Sequence, residues 1–398
     1  MTQPTAAEAA PDPGPRTRGG QVAVPCWFLR GGTSRGPFFR AADLPADRAA
    51  RDAVLLAAMG SPDPRQIDGL GGANPLTSKA GVVGPGSRPD VDLDFWFAQL
   101  QPGSDLVDTT ANCGNMLAAV VPFAVESGLL VPDGDTTTAR VLTRNTGLVA
   151  EISIRTPPAE APGDDVPSGR YVEYAGDTAI DGVPGTAAAV TIGFLDTAGS
   201  VCSGLLPTGN VRDRVEAPGV GPLDVTCIDN GQPLVIVDAA DLGRTGHESA
   251  EALNADTELK ERLEALRLVC GELMGLGDVT AKNYPKMTLV SPAARGGTIN
   301  TRSFIPHVCH GSIGVLAAVT AATACVLDGS VAAELADVPS GTDVSVSVEH
   351  PAGEFTVRLG LSADAPRRVT TSALVRTARL IMAGEVLVPR RAYRHQRL

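Results

Sequence analysis

Residues 108–116 read DTTANCGNM, a cysteine followed by glycine and asparagine at the point where an uncharged Ala/Val-rich run begins. A thiol at the start of a buried helix faces free N–H groups and the positive end of the dipole. That placement lowers the thiol's pKa and makes Cys113 a usable base or nucleophile. The N–H groups around Asn112, Gly114 and Asn115 are equally suited to a substrate carboxylate. The plain alternative is that Cys113 is a small buried hydrophobe capping a packing helix. A second segment, residues 66–83 (QIDGLGGANPLTSKAGVV), carries Lys79 directly after Thr77 and Ser78 and before Ala80, Val82 and Val83. A lysine walled by such residues loses solvation and moves toward a general-base range, whereas an exposed loop lysine does not. Residues 29–39 (LRGGTSRGPFF) pack Arg30, Ser34 and Arg35 among glycines. This suits bidentate carboxylate recognition, or else an ordinary hairpin with an arginine at each shoulder. The fourth segment, residues 306–312 (PHVCHGS), sets Cys309, His310, Gly311 and Ser312 before another uncharged run.

Several chemistries fail on spacing. His307, Cys309 and His310 offer zinc-type donors, but three ligands within four residues rarely point one way. No GxxxxGK[ST] loop occurs, and GLGGAN lacks the third glycine and the following helix of a dinucleotide fingerprint. A Cys–His protease is disfavoured because Cys113 has no family signature and the side chains of Cys309 and His310 diverge. Seven cysteines, an odd number without CxxC pairs, argue against a disulfide framework. The formal charge of −12 and the lack of a basic patch argue against nucleic acid as a partner. An anionic small substrate then needs local cations and helix N-termini to overcome a repulsive global field.

The elements that must position these residues are read from periodicity. With 398 residues, 44 Gly, 31 Pro and only 4% aromatics, the chain predicts two domains of short strands with Val, Ala and Leu cores. Alternating runs at 22–30, 81–83, 91–98, 139–144 and 148–155 surround the uncharged segment 109–125. Others at 186–194, 221–228, 234–237, 287–290, 298–304, 343–348 and 354–359 surround 308–327. That second segment is long enough to span a bilayer, but its Ala, Thr, Gly and Ser content fits a buried helix better. Pro122 predicts a kinked or shortened first helix. Residues 251–274 read as an amphipathic surface helix. The expected organisation is a disordered tail over 1–21 without a signal-peptide h-region, hence a cytoplasmic protein. A first domain follows over 22–184, completed by 378–398, then a second over 185–377, joined in the turn-rich DGVPGT of 181–186.

Five ordered segments, RGGTSRG, QIDGLGG…TSKAGVV, NCGNM, DGVPGT…SGLLPTGN and ARLIMAGEVLVP, resemble the PrpF family. Its members include 2-methylaconitate cis-trans isomerases, 4-oxalomesaconate tautomerase and methylitaconate Δ-isomerase. The resemblance spans about residues 22–389. It implies the α+β diaminopimelate-epimerase-like fold: two similar domains, each a β-barrel-like sheet wrapped around a central apolar helix, with the active site in the cleft. It also implies a cofactor-independent isomerase, without metal, that shifts a proton in an unsaturated di- or tricarboxylate. The family's catalytic lysine falls on Lys79 and its cleft cysteine on Cys113. Arg30, Ser34, Arg35 and Ser78, with the helix starts at Asn112–Asn115 and Cys309–Ser312, are the candidate carboxylate contacts. A homodimer is compatible with this reading, and the substrate stays open among methylaconitate, aconitate and oxalomesaconate.

Two departures matter. Arg35 stands where relatives usually carry lysine, and His310-Gly311-Ser312 replaces a common His-Lys-Ala. Cys309 adds the alternative of a two-thiol amino-acid racemase or epimerase working with Cys113. A carboxylate-binding protein without chemistry is the non-enzyme alternative.

Overall fold

The computed structural model describes residues 16–110, 112–159, 169–194, 197–364 and 368–393. Most of the expected tail over 1–21 lies outside them; from residue 17 onward Thr17–Arg18 already pairs with Gln21 and Val22. The chain divides into two compact units, Met1–Val131 with Thr143–Gly147 and Arg379–Leu398, and Pro132–Leu142 with Leu148–Ala378.

In the first unit, Gln21–Gly31 pairs antiparallel with Ser34–Arg40, which runs parallel to Lys79–Pro85. Leu93–Leu100 and then Val107–Asp108 extend the sheet antiparallel. Period-2 alternation sends Phe38 and Phe39 to opposite faces. Phe39, Ala80 and Val82 pack with Val54, Leu55 and Met59 of the helix Arg48–Met59. That helix is capped by the Asp47 side chain at one end and by Gly60, at φ 78°, at the other. On the other side Phe38 meets Phe123 at 5.6 Å between ring centroids, and Trp27 meets it edge-on at 5.4 Å. Phe123 belongs to Val120–Glu126, the second of two short helices that replace the single expected one. The first is Gly114–Leu117. Pro122 sits in the opening turn of the second helix, where its missing N–H costs little.

The second unit joins Thr136–Thr143, Val149–Arg155, Ala189–Phe194, the start of Val369–Pro389, Gly353–Leu361 and Asp343–His350 in antiparallel order. Ile299–Phe304 joins Asp343–His350 in parallel, then Lys286–Ser291 follows antiparallel. Pro233–Asp238 is parallel to that strand, with Gly221–Asp229 and Asp213–Ala217 completing the sheet. Its central helix is Val315–Cys325, buried throughout from Ala317 onward. Alanines and threonines there permit close packing, and Thr320 and Thr323 bond their hydroxyls to Asn230 and to carbonyls one turn back. The amphipathic stretch is interrupted at Asp256, whose carboxylate caps Thr257–Leu273. Leu259, Leu263, Leu266 and Cys270 bury its inner face against Val225 and Leu289.

The boundary differs from the expected join at 181–186. Residues 148–184 group with the second unit because Val149–Arg155 bonds to Ala189–Phe194, which bonds in turn to residues 373–377. No described helix is long and apolar enough to cross a membrane.

Candidate active site

The arginine segment is a hairpin with a two-residue turn at 32–33. Its register places Arg30 directly opposite Arg35, so both side chains leave the same face. Like charges in that arrangement destabilise a hairpin, so the pair does not serve the stability of the turn. Arg30 is half-buried and bonds the Gly32 carbonyl at 2.9 Å. Burial first, and then Arg379, pull its pKa below the ordinary guanidinium value. Arg35 is exposed, with its guanidinium 5.8 Å above the Phe28 ring.

Glycines let the other two segments close on this hairpin. A Cβ on Gly31 would stand 2.2 Å from the Asn115 carbonyl, and one on Gly32 (φ 48°) 2.2 Å from Asn115 Oδ1. Asn115 Nδ2 donates to Thr33 Oγ1 at 2.9 Å and approaches buried Ser34 Oγ at 3.5 Å. A Cβ on Gly36 would lie 1.9 Å from the Lys79 carbonyl, so only glycine admits the lysine strand at this point. Three of the four segments therefore meet within one unit.

Lys79 is 8% exposed. Its Nζ donates to Gln99 Oε1 at 2.6 Å and lies 5.0 Å from the Phe97 ring centroid. Gln99 is the register partner of Lys79. It donates Nε2 to the carbonyls of Ser78 at 2.9 Å and Pro75 at 3.1 Å, which fixes its oxygen toward the lysine. The partner is thus a neutral amide, and Lys79 forms no ion pair among the described residues. Ser78 departs from the expected substrate contact. It is fully buried and spends its hydroxyl on Gln66 Oε1 at 2.7 Å, with Gln66 also accepting from Ala73 N–H. Its work is to hold the glycine loop.

Cys113 is half-buried and is the N-cap of Gly114–Leu117. The helical ladder starts with Leu117 N–H to the Cys113 carbonyl at 2.9 Å, so the amides of Gly114, Asn115 and Met116 precede it. Asn112 is anchored through Nδ2 to Thr143 Oγ1 at 3.0 Å and Thr146 Oγ1 at 2.5 Å. Its Oδ1 is buried with no partner among the described residues. Asn145 in the same turn donates to the carbonyls of Phe97 and Thr109, both at 2.8 Å. Gln66, Gln99, Thr143, Asn145 and Thr146 escaped sequence reasoning, since single polar residues remote in the chain carry no spacing signal.

The second unit corrects the reading of residues 309–312. The helix starts at Val315 with Gly314 as N-cap, not at Cys309. Residues 305–310 instead turn back on their own strand, with Ile305 N–H bonded to the Val308 carbonyl and His310 N–H to the Ser303 carbonyl. Cys309 is 3% exposed within the core that holds Phe304 and Leu289, and burial pushes its thiol up to about 11 against the pull of Arg302. That environment opposes the two-thiol alternative. His310 Nδ1 accepts from Ser312 N–H at 2.9 Å, Ser312 Oγ meets His350 Nε2 at 3.3 Å, and Gly311 is exposed. His350 Nδ1 accepts from Ala352 N–H, so the ring is neutral with its proton on Nε2. Two cations of this unit were also missed. Half-buried Lys286, its pKa lowered by burial, has its Nζ 3.6 Å from where a Gly314 Cβ would stand. Arg376 is 4% exposed and pushed down to about 10 by burial, with its guanidinium 4.1 Å from the Phe355 centroid. Among the described residues no group of three or more His, Cys, Asp or Glu is placed to hold a metal ion.

Comparison with known proteins fits this geometry. The chain is 52% identical over 374 residues to the (4E)-oxalomesaconate Delta-isomerase of Novosphingobium sp. strain KA1, covering 94% of this chain and 100% of that one. It is 51% identical over 371 residues to the 4-oxalomesaconate tautomerase of Pseudomonas putida, covering 93% and 98%. The crystal structure of a methylitaconate-delta-isomerase superposes with a TM-score of 0.79 at 32% identity, covering 95% of this chain and 99% of that one. The α+β fold with two epimerase-like domains is thereby shared. The family described as PrpF protein matches residues 21–389, and the chain belongs to it.

Proposed function

We propose that this protein is an isomerase that moves a proton within an unsaturated di- or tricarboxylate, with 4-oxalomesaconate as its substrate. The observation that carries the reading is that one unit packs the strand of a buried lysine, partnered by a neutral amide, and the turn after a half-buried cysteine against a hairpin with two arginines in facing register. Two relatives above 50% identity, both named for oxalomesaconate, favour that substrate over methylaconitate.

In this mechanism Arg30 and Arg35 take one substrate carboxylate through their planar forks. Lys79 removes a proton from the carbon next to the unsaturated system. The C–H bonding pair delocalises through the double bond onto a carbonyl or carboxylate oxygen, giving a dienolate. N–H donors around Cys113 stabilise that charge. The Cys113 thiol then protonates the far carbon, and the double bond re-forms one position away. Free rotation in the intermediate allows cis–trans exchange in substrates that require it. The proton taken by Lys79 and the one given by Cys113 balance, and the starting protonation states return through solvent.

The test is NMR of a panel of unsaturated acids, oxalomesaconate, 2-methylaconitate and aconitate, incubated with the protein in deuterated buffer. Oxalomesaconate should isomerise with deuterium uptake at least tenfold faster than the others. A chiral amino acid exchanging its α-proton while every double-bond acid stays inert selects the racemase reading and rejects this one.

A further inference from the structure

The first unit has a second concentration of positive charge that the proposed chemistry does not use. Arg48 and Arg51 of the helix Arg48–Met59, with Arg144 from the 143–147 turn, line a cavity of about 230 Å³. Leu55, Val82, Trp96 and Ala98 complete the lining. Arg51 has no ion pair or side-chain hydrogen bond among the described residues. Arg48 reaches Asp52 at 3.6 Å and Thr109 Oγ1 at 3.4 Å, both marginal contacts. Arg144 is oriented by Asp94 at 3.1 Å and by the Trp96 ring at 5.3 Å, with donors to spare. Asp52 is the only carboxylate of the lining, and burial lifts its pKa against the pull of Arg51 and Arg48.

Asp94 already neutralises Arg144, which leaves Arg48 and Arg51 sharing Asp52, an unfavourable arrangement for the protein by itself. Arg48 and Arg51 are i,i+3 neighbours of like charge, and both lie in the helix turn whose dipole disfavours cations. The chain has 45 acidic residues to 33 basic ones, so two guanidiniums sharing one lining carboxylate run against the overall balance. Planar guanidinium forks offer an oxyanion paired N–H donors.

We propose that this cavity is an effector site for a compact, doubly charged oxyanion of the size of inorganic phosphate or sulfate. The connection to activity runs through the cavity wall. Asn145 and Thr109 line it, Asn145 holds the Thr109 carbonyl, and Thr143 and Thr146 of the same turn hold Asn112 next to Cys113. An anion drawing in Arg144 acts on the turn that positions the thiol.

Inorganic phosphate is the probe, titrated into the full-length protein by calorimetry at constant ionic strength, with turnover followed in parallel. Saturable binding should weaken at least tenfold in Arg51→Gln and in Arg48→Gln, and persist in Arg35→Gln. Turnover without phosphate should be unchanged in Arg51→Gln, while the phosphate-dependent change in kcat of the parent protein should vanish. Absence of saturable binding, binding unaltered in both cavity variants, binding lost in Arg35→Gln instead, or bound phosphate that leaves kcat unchanged would each overturn the proposal.

Discussion

At the scale of single residues, the account rests on what surrounds Lys79. Gln99 sets the position of Lys79 with an uncharged oxygen. Gln99→Glu puts a carboxylate in that place, and kcat should fall by about tenfold or more with stability unchanged. A parental kcat separates the two side chains functionally. Arg35 is exposed and opposes Arg30, so Arg35→Gln should raise KM on the order of tenfold while kcat changes little. Steady-state kinetics distinguish this from a structural role, which would lower both parameters with stability. Lys79, Cys113 and the two arginines stood out in the sequence because each sits in a dense local motif. Adjacency of Ser78 to Lys79 along the chain says nothing of Gln66, twelve residues earlier, which takes the Ser78 hydroxyl.

At the scale of elements, glycine is what allows three loops to close around one site. Gly31→Ala drives a Cβ into the Asn115 carbonyl. It should cost about 1–3 kcal/mol in denaturant unfolding, and activity should fall further than stability because the Asn115–Thr33 bond is displaced. Strand positions were largely readable from alternation, from Gly221–Asp229 to Gly353–Leu361. The helix Arg48–Met59 was overlooked, although Asp47 before it and Gly60 after it are capping signals. The start of Val315–Cys325 was placed too early for a different reason. Polar residues before an apolar run look like a cap, but here they are consumed by a hairpin turn bonded to Ser303. That short turn back on its own strand leaves no mark in periodicity.

At the scale of the whole molecule, the charge of −12 demands that anion binding be local. In the proposed mechanism that local charge comes from Arg30, Arg35 and Lys79, all within the first unit. In the second unit pH dependence should come from His350. Burial first, then Arg295, Arg376 and His310, lower its pKa to about 4, against the opposing pull of Asp181. The unfolded chain binds this proton near pH 6.5, so the folded state is fully favoured above that value and loses stability as pH falls toward 4. Between pH 7.5 and pH 5 the loss from this residue should be about 2 kcal/mol. Urea unfolding of His350→Gln should show a correspondingly shallower decline over that interval. Two domains were legible from length and composition, but their boundary was not. It depends on Val149–Arg155 choosing Ala189–Phe194 as partner, a pairing no turn signal announces.

The division of labour between Lys79 and Cys113 is tested most directly by deuterium exchange into oxalomesaconate with Lys79→Met and Cys113→Ser. Lys79→Met should abolish both exchange and product, by at least a thousandfold, with unchanged circular dichroism. Cys113→Ser should still exchange the proton that Lys79 removes, while forming product at least a hundredfold more slowly. Exchange and product at parental rates in Lys79→Met would contradict the account.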